Sequence, residues 1–550
     1  MNLISTSLIL TLLTTLSSLN LSASDITIKV TKKYLNLPVS QSVNRGRMSL
    51  MVKGKAERSF VIRLAGEKTD YWVFTDVSGL KGKTVTISYD GNPVGLSKIY
   101  QDDAIAGADS LYRESNRPQY HFTSKRGWNN DPNGLVFFDG EYHLFYQHNP
   151  YEIEWENMHW GHAVSTDLVH WTELSEALYP DHTGTMFSGS AVIDHANSAG
   201  FQTSADPAMV AIYTADRSDK ETQCLAYSND RGRTWTKYDK NPVIDSRDQW
   251  NSRETRDPKV FWFEQDKNWV MVLYEKDGNS IYTSPNLKDW NYCSHVSGFF
   301  ECPEFFELPV DGSPTNTRWI MLGASGVYRL GSFDGKVFTP EPGVLHYTAG
   351  SIYAAQTYNN IPKKDGRRIQ IGWGRIRQPG MPFNQMMLLT TVFTLRNTID
   401  GIRLFSTPAK EIEELHGKSY EWKDLAAVKA NELLKTIEPG QGIHLKATLL
   451  LNAGNSAGLN FSGQPVFNYD LNINQINGIN NSMEEVTRSS RMVDVYIDRT
   501  SVEVFIDDGR YSYSMPLEIK DKTNGFEFWG QALQILDLQV YLMKSIYQNK

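Results

Sequence analysis

The sequence predicts an all-β protein in three successive blocks, and three observations carry that prediction. Short runs of alternating apolar and polar residues recur from about residue 25, among them Ile26–Val30, Phe60–Leu64 and Thr84–Tyr89, which is the period of a half-buried strand. In the middle of the chain a Ser, then an Asp or Asn two residues on, is followed by a Trp; this occurs at Ser165-Thr166-Asp167 with Trp171, Ser228-Asn229-Asp230 with Trp235, and Ser284-Pro285-Asn286 with Trp290. Near the C-terminus two alternating runs, Met492–Ile497 and Val502–Ile506, flank the turn sequence Asp507-Asp508-Gly509.

Each block follows from local chemistry. Residues 25–115 form a small β-rich module, its strands punctuated by turns at Gly54, Gly79 and Gly82. Residues 116–406 carry the repeat, whose Ser, Asp and Asn side chains bond local backbone while the Trp packs between neighbouring sheets. Repeats of that length point to the blades of a β-propeller, with long loops free to build a site. A charged, helix-like stretch, Pro408 to Leu415, lies in a linker expected over 407–420. Residues 421–550 then read as a β-sandwich.

The chain opens with an uncharged stretch running through Leu8, Ile9, Leu10, Leu12 and Leu13 to small residues at Ser22, Ala23 and Ser24. That pattern predicts a signal peptide over 1–24 and a secreted or periplasmic protein, with no membrane span after its removal. The absence of Lys or Arg before the apolar run departs from the usual signal, and an uncleaved anchor is the alternative. Three cysteines in 550 residues argue against a disulfide framework. With 55 Lys and Arg against 63 Asp and Glu, the chain lacks the basic footprint that nucleic acid or anionic lipid requires, and a neutral partner fits better. An aromatic content of 12% suits a sugar-binding cleft, although most such rings fill sheet cores.

Three carboxyl-bearing segments stand out. In Trp128-Asn129-Asn130-Asp131-Pro132-Asn133-Gly134, Pro and Gly are expected to fix a turn that holds Asp131 among amide donors. Arg256-Asp257-Pro258 sets a carboxylate beside a permanent cation, and Glu301-Cys302-Pro303 follows the apolar pair Phe299-Phe300. Apolar surroundings raise a carboxyl's pKa, as a general acid working near neutrality requires. Each segment taken alone is explained by turn formation or by an ordinary ion pair. Together they supply what cleavage of an acetal needs, two carboxyls facing each other across the bond. No His, Cys and carboxylate spacing forms a convincing metal-ligand set, and no cofactor is expected.

These segments, with Phe145-Tyr146-Gln147-His148-Asn149-Pro150, Trp155-Glu156-Asn157-Met158-His159-Trp160-Gly161-His162, Phe187-Ser188-Gly189-Ser190 and the late strand Ser501–Phe505, resemble glycoside hydrolase family 32, the fructan hydrolases and invertases. The resemblance implies a five-bladed β-propeller followed by a β-sandwich. It implies Asp131 as nucleophile, Glu301 as acid/base and Asp257 as transition-state stabiliser, with Asn130, Gln147, Trp155, Phe187, Ser188, Arg256 and Trp373 lining the pocket for a terminal fructose. Asn157 and His159 are further candidates.

The activity implied is retaining hydrolysis of a β-fructan, levan or inulin, or of sucrose, with exo attack favoured and carboxyl groups about 5–5.5 Å apart. Endo-acting fructanase, fructosyltransferase and non-catalytic fructan-binding protein are the alternatives, together with an inverting five-bladed glycosidase of the arabinan type. Asn129 stands where the family usually has Met, and Leu345–Tyr353 lacks acidic residues the family commonly carries there, so linkage preference stays open. The N-terminal module resembles an extra domain found in front of some bacterial fructanases, especially of the Bacteroidetes.

Overall fold

The computed structural model describes residues 24–547 apart from 439, 441, 452–455, 471–474, 478, 481–489 and 519–524. Strand makes up 55% of the protein and helix 6%, so the all-β expectation holds. The signal-peptide expectation over 1–24 lies outside the described residues except for Ser24, which opens the first strand.

The N-terminal block is two small sheets around one apolar core. Ser24–Lys29, Thr84–Tyr89, Gly46–Val52 and Lys55–Ile62 form the larger sheet in that order, and Tyr71–Asp76, Tyr34–Val39 and Tyr100–Asp102 form the smaller. The hairpin between Gly46–Val52 and Lys55–Ile62 turns on Lys53 and Gly54, with φ of 50° and 80°, the handedness that matches strand twist.

In the central block each sheet is a meander of sequential antiparallel strands, and the first strand of each lies innermost. These are β1 (Gly127–Phe138), β2 (Thr185–Asp194), β3 (Thr255–Phe263), β4 (Glu304–Val310) and β5 (Ile352–Thr357). The meanders that begin at β4 and β5 are joined into one ten-stranded sheet through the pairing of Val310 with Leu395. β1 packs against β2, β2 against β3, β4 against β5, and β5 returns to β1. Phe383–Asn384 also pairs with Gly127 and Trp128, so the end of the block is tied to its beginning. The recurring motif does what its residues predict: Asp167, Asp230 and Asn286 accept backbone N–H groups at 2.7–2.9 Å from His170, Thr234 and Asp289. Trp171, Trp235 and Trp290 each pack on an intersheet core.

The interval expected as a linker, 407–420, is occupied by the end of the strand Gly401–Pro408, a 3-10 turn over Lys410–Leu415 and the start of the strand His416–Ala426. That last strand joins a seven-stranded sheet, which faces a five-stranded sheet across a shared apolar core. The strand Thr348–Gly350, from the central block, pairs in parallel with Tyr511–Pro516 of this sheet. His121 is wedged, fully buried, between Asp498 and Glu503 at 2.8 and 2.7 Å.

Candidate active site

The functional segments sit where the inner strands lose register. In β1 three residues advance, from Asn129 to Pro132, while the partner strand advances two, from His148 to Tyr146. The same extra residue appears in β2 between Met186 and Gly189, in β3 between Arg256 and Lys259, and in β5 between Tyr353 and Gln356. Side chains alternate along a regular strand, so of two adjacent residues only one faces a given side; a bulge re-aims the second. Asn130 and Asp131, Phe187 and Ser188, and Arg256 and Asp257 are thereby turned as adjacent pairs into one cavity.

The turn expected at Trp128–Gly134 is therefore a bulged strand. Pro132 lacks an N–H to give a ladder, and a bulge is where a strand tolerates that. Gly134, at φ 58°, is needed because a Cβ there would lie 2.7 Å from Phe145 and 2.9 Å from Trp160. Asp257 at φ 63°, and Glu301 and Cys302 at 28° and 44°, also sit in the left-handed region, a strain that neighbours must hold in place.

The cavity, about 290 Å³ and open to solvent, is lined by the ten residues expected to do the chemistry or to hold the fructose, Asp131, Glu301, Asp257, Asn130, Gln147, Trp155, Phe187, Ser188, Arg256 and Trp373, with Tyr353 as an eleventh. Asn130 Nδ2 donates to Asp131 Oδ1 at 3.1 Å, and Ser188 Oγ donates to Oδ2 at 2.9 Å. The indole N–H of Trp128 donates to Asn130 Oδ1 at 2.9 Å, which fixes the amide so that its NH₂ points at Asp131. Arg256 donates to Glu301 Oε2 from Nε at 3.1 Å and from Nη2 at 3.0 Å, and Tyr353 donates to Oε1 at 2.7 Å. Cys302 links the other two acids: its Sγ lies 3.6 Å from Asp131 and 3.3 Å from Asp257, and its backbone N–H donates to Asp257 at 3.1 Å.

Burial raises the Asp131 carboxyl above the usual range, and the bonds from Asn130 and Ser188 pull it back. Burial also raises Asp257; Arg256 opposes this, and the negative charges of Glu301 and Asp131 add to it. Arg256 holds its proton more firmly than usual, since Asp257, Glu221 and Glu301 outweigh its burial. Trp155 meets Phe187 edge-on at 6.1 Å, and Trp373 meets Trp128 and Tyr353 at the same separation, so aromatic walls stand on two sides.

Three expectations are corrected. Glu301 does not sit in an apolar nest: Phe299 packs into a separate core, Phe300 is 53% exposed, and the carboxylate's partners are Arg256 and Tyr353. Neither Asn157 nor His159 lines the cavity. Asn157 exchanges two 2.9 Å hydrogen bonds with the backbone of Val61, and His159 is buried against Tyr151 and Tyr179 with its Nδ1 on the Asn157 carbonyl. Tyr353 went unrecognised, its signal being the small pair Ala354-Ala355 that forms the bulge beside it. Among the described residues no group of three or more His, Cys, Asp and Glu is placed to hold a metal ion, and the three cysteines are free.

Adjacent β-sheets whose strands and connecting loops bring three carboxyls, a guanidinium and four aromatic rings to one open cavity make a site suited to the hydrolysis of sugar acetals. Residues 121–408 match the glycosyl hydrolases family 32 N-terminal domain, and the chain belongs to that family. Residues 22–120 match a domain of unknown function (DUF4980). The chain is 38% identical to a levanase of Bacillus subtilis (strain 168), over 81% of this chain and 73% of that protein. It is 32% identical to an extracellular exo-inulinase of Aspergillus niger, over 73% of this chain and 89% of that one. The solved exo-inulinase of Aspergillus awamori superimposes with a TM-score of 0.69 at 28% identity, covering 79% of this chain and 100% of its own.

Proposed function

We propose that the protein is a retaining β-fructosidase that releases fructose from β-fructans by exo attack. The observation that carries this reading is that Asp131 and Glu301, distant in sequence, line one cavity, each held by its own donors. Asp131, kept as an acceptor by Asn130 and Ser188, attacks the anomeric carbon of a β-linked fructosyl unit. Glu301, oriented by Arg256 and Tyr353, protonates the departing oxygen and then takes a proton from the water that frees fructose. Asp257 accepts hydrogen bonds from the sugar hydroxyls and offsets positive charge as it develops on the ring. Trp155 and Trp373 offer ring faces to the less polar side of the sugar, and Gln147 offers an amide.

In this reading the four central sheets are a five-bladed propeller over 116–406, the ten-stranded sheet counting as two blades. The C-terminal pair of sheets is a sandwich, and 25–115 is an accessory module. Action outside the cytoplasm is supported by the uncharged apolar start of the sequence and by a relative named as extracellular. No helix among the described residues is long and apolar enough to cross a membrane. The test is to incubate the protein with levan, inulin and sucrose and to follow early products by chromatography and the first-formed anomer by NMR. Free fructose of retained configuration, abolished by Asp131→Ala and by Glu301→Gln, is expected. Oligomeric early products or an inverted anomer would overturn the exo or the retaining assignment, and undiminished hydrolysis by Asp131→Ala would overturn the site.

A further inference from the structure

The N-terminal module grips one segment of the central block, residues 151–157, and that segment carries Trp155, a wall of the cavity. Tyr151 at its start is 1% exposed and belongs to the module's own apolar core, stacked on Phe60 with ring centroids 3.7 Å apart. Glu152 is a fully buried carboxylate that receives Arg45 Nε at 2.8 Å, Arg63 Nη1 at 2.7 Å and the Arg63 backbone N–H at 2.8 Å. Removing its partners would leave an uncompensated buried charge, so the contact is an anchor and not a surface ion pair. Asn157 closes the segment with its paired bonds to Val61. Between these fixed points Trp155 is half-exposed and touches Phe187 in the cavity.

We propose that the N-terminal module is a positioning element of the active site, with Arg45 and Arg63 acting through Glu152 to hold Trp155 where it meets substrate. The inference rests on reading the cavity as the fructan site, and goes beyond it by giving the module a role in substrate affinity. The central block holds the same segment through two amides: Asn149 donates to the Glu154 carbonyl at 2.8 Å and accepts from the Tyr151 N–H at 3.2 Å and Asn157 Nδ2 at 3.1 Å, and Asn384 donates to the Ile153 carbonyl at 2.9 Å; none of these bonds is made to the Trp155 indole, and none neutralises Glu152. Ordering the segment before substrate arrives removes an entropic cost from binding, and so acts on KM ahead of kcat.

The experiment is a double-mutant cycle in the full-length chain, pairing Arg45→Ala plus Arg63→Ala with Trp155→Ala. On a fructo-oligosaccharide the double Arg variant is expected to raise KM by about fivefold or more with kcat within about twofold, and Arg45→Lys plus Arg63→Lys to recover part of the loss. In the Trp155→Ala background the Arg changes should add nothing. Amide hydrogen exchange over 150–158 should quicken in the Arg variant while the sheets of the central block keep their protection. An equal rise in KM in both backgrounds, or an unchanged exchange rate over 150–158, overturns the proposal. Should the double Arg variant fail to fold, Glu152→Gln in the same cycle answers the same question. If the unaltered protein releases no fructose the reading of the cavity fails, and the exchange rate of 150–158 still decides whether the module holds the segment.

Discussion

Ser188→Ala is the sharpest probe of the proposed nucleophile, because it deletes one hydroxyl and leaves the bulge that carries it. Ser188 is 1% exposed and donates to Asp131 Oδ2 at 2.9 Å, while Asn130 serves the other oxygen, so the loss falls on an oxygen whose remaining neighbour is the weakly donating Cys302 thiol at 3.6 Å. A hydrogen bond to a charged group contributes about 1.5–3 kcal/mol, and because Asp131 is only partly buried in a cavity open to solvent the lower part of that range applies. At 1.36 kcal/mol per pKa unit that bond corresponds to roughly 1–2 units. Ser188 holds the carboxyl down, so its removal adds to the upward push of burial.

The expected outcome is therefore an acid limb of kcat/KM displaced upward by about 1–2 pH units in Ser188→Ala. Activity at the low end should be lost by up to about tenfold per unit of displacement, and the plateau at higher pH should fall much less. The assay is initial-rate fructose release across pH, with a thermal melt to confirm native folding. An acid limb that stays within about 0.3 units of the unaltered protein in a folded variant would refute the reasoning, since a shift that small is far below the bond's worth.

Two other outcomes test the frame around the site. His121 is raised to about 9, burial being outweighed by bonds to Asp498 and Glu503; its stabilising charge is fully present below the unfolded value near 6.5 and is lost as pH rises through about 9. Urea denaturation should show stability falling across that window by an amount on the order of 3 kcal/mol, and His121→Asn should flatten the slope. Gly134→Ala, forced into φ 58° with its Cβ against Phe145 and Trp160, should cost about 2–5 kcal/mol from backbone strain and overpacking, read as a lower urea midpoint.

The strands and the identity of the site residues were legible in the sequence because both are local properties. Period-two patterning placed Thr84–Tyr89 at its observed limits, and Asp131, Asp257 and Glu301 were found by residue type within short motifs. What was missed depends on partners that the sequence does not pair. A bulge is a mismatch between two strands, so Trp128–Gly134 read as a turn when only one strand was in view. Phe299 and Phe300 neighbour Glu301 along the chain, but the left-handed conformations at Glu301 and Cys302 send the carboxylate away from them, toward Arg256 and Tyr353. Asn157 and His159 have the chemistry of sugar ligands, but the N-terminal module, whose docking no motif announces, claims Asn157 through the Val61 backbone, and His159 is packed between Tyr151 and Tyr179 of the central block.

The same geometry explains why the site motifs are adjacent pairs at all. A regular inner strand offers a central cavity every second residue, so a site built on unbulged strands would be written as residues two apart. Here Asn130-Asp131, Phe187-Ser188 and Arg256-Asp257 are neighbours because each straddles a register slip, and the fourth inner strand is entered through Glu301-Cys302, where two left-handed residues do the same work without a paired strand. Each such slip costs the sheet a ladder hydrogen bond, and each left-handed non-glycine residue costs on the order of 1–3 kcal/mol. The pairing of Phe383–Asn384 with the start of β1, and the buried bonds from Val260 N–H to Ser190 Oγ and from Asn359 Nδ2 to the Val260 carbonyl, tie the strands that carry those conformations. Strain concentrated at these positions places three carboxylates, two from bulged inner strands and one from the approach to a third, around a single cavity, and a site that must bring two acids to opposite sides of one bond requires that placement.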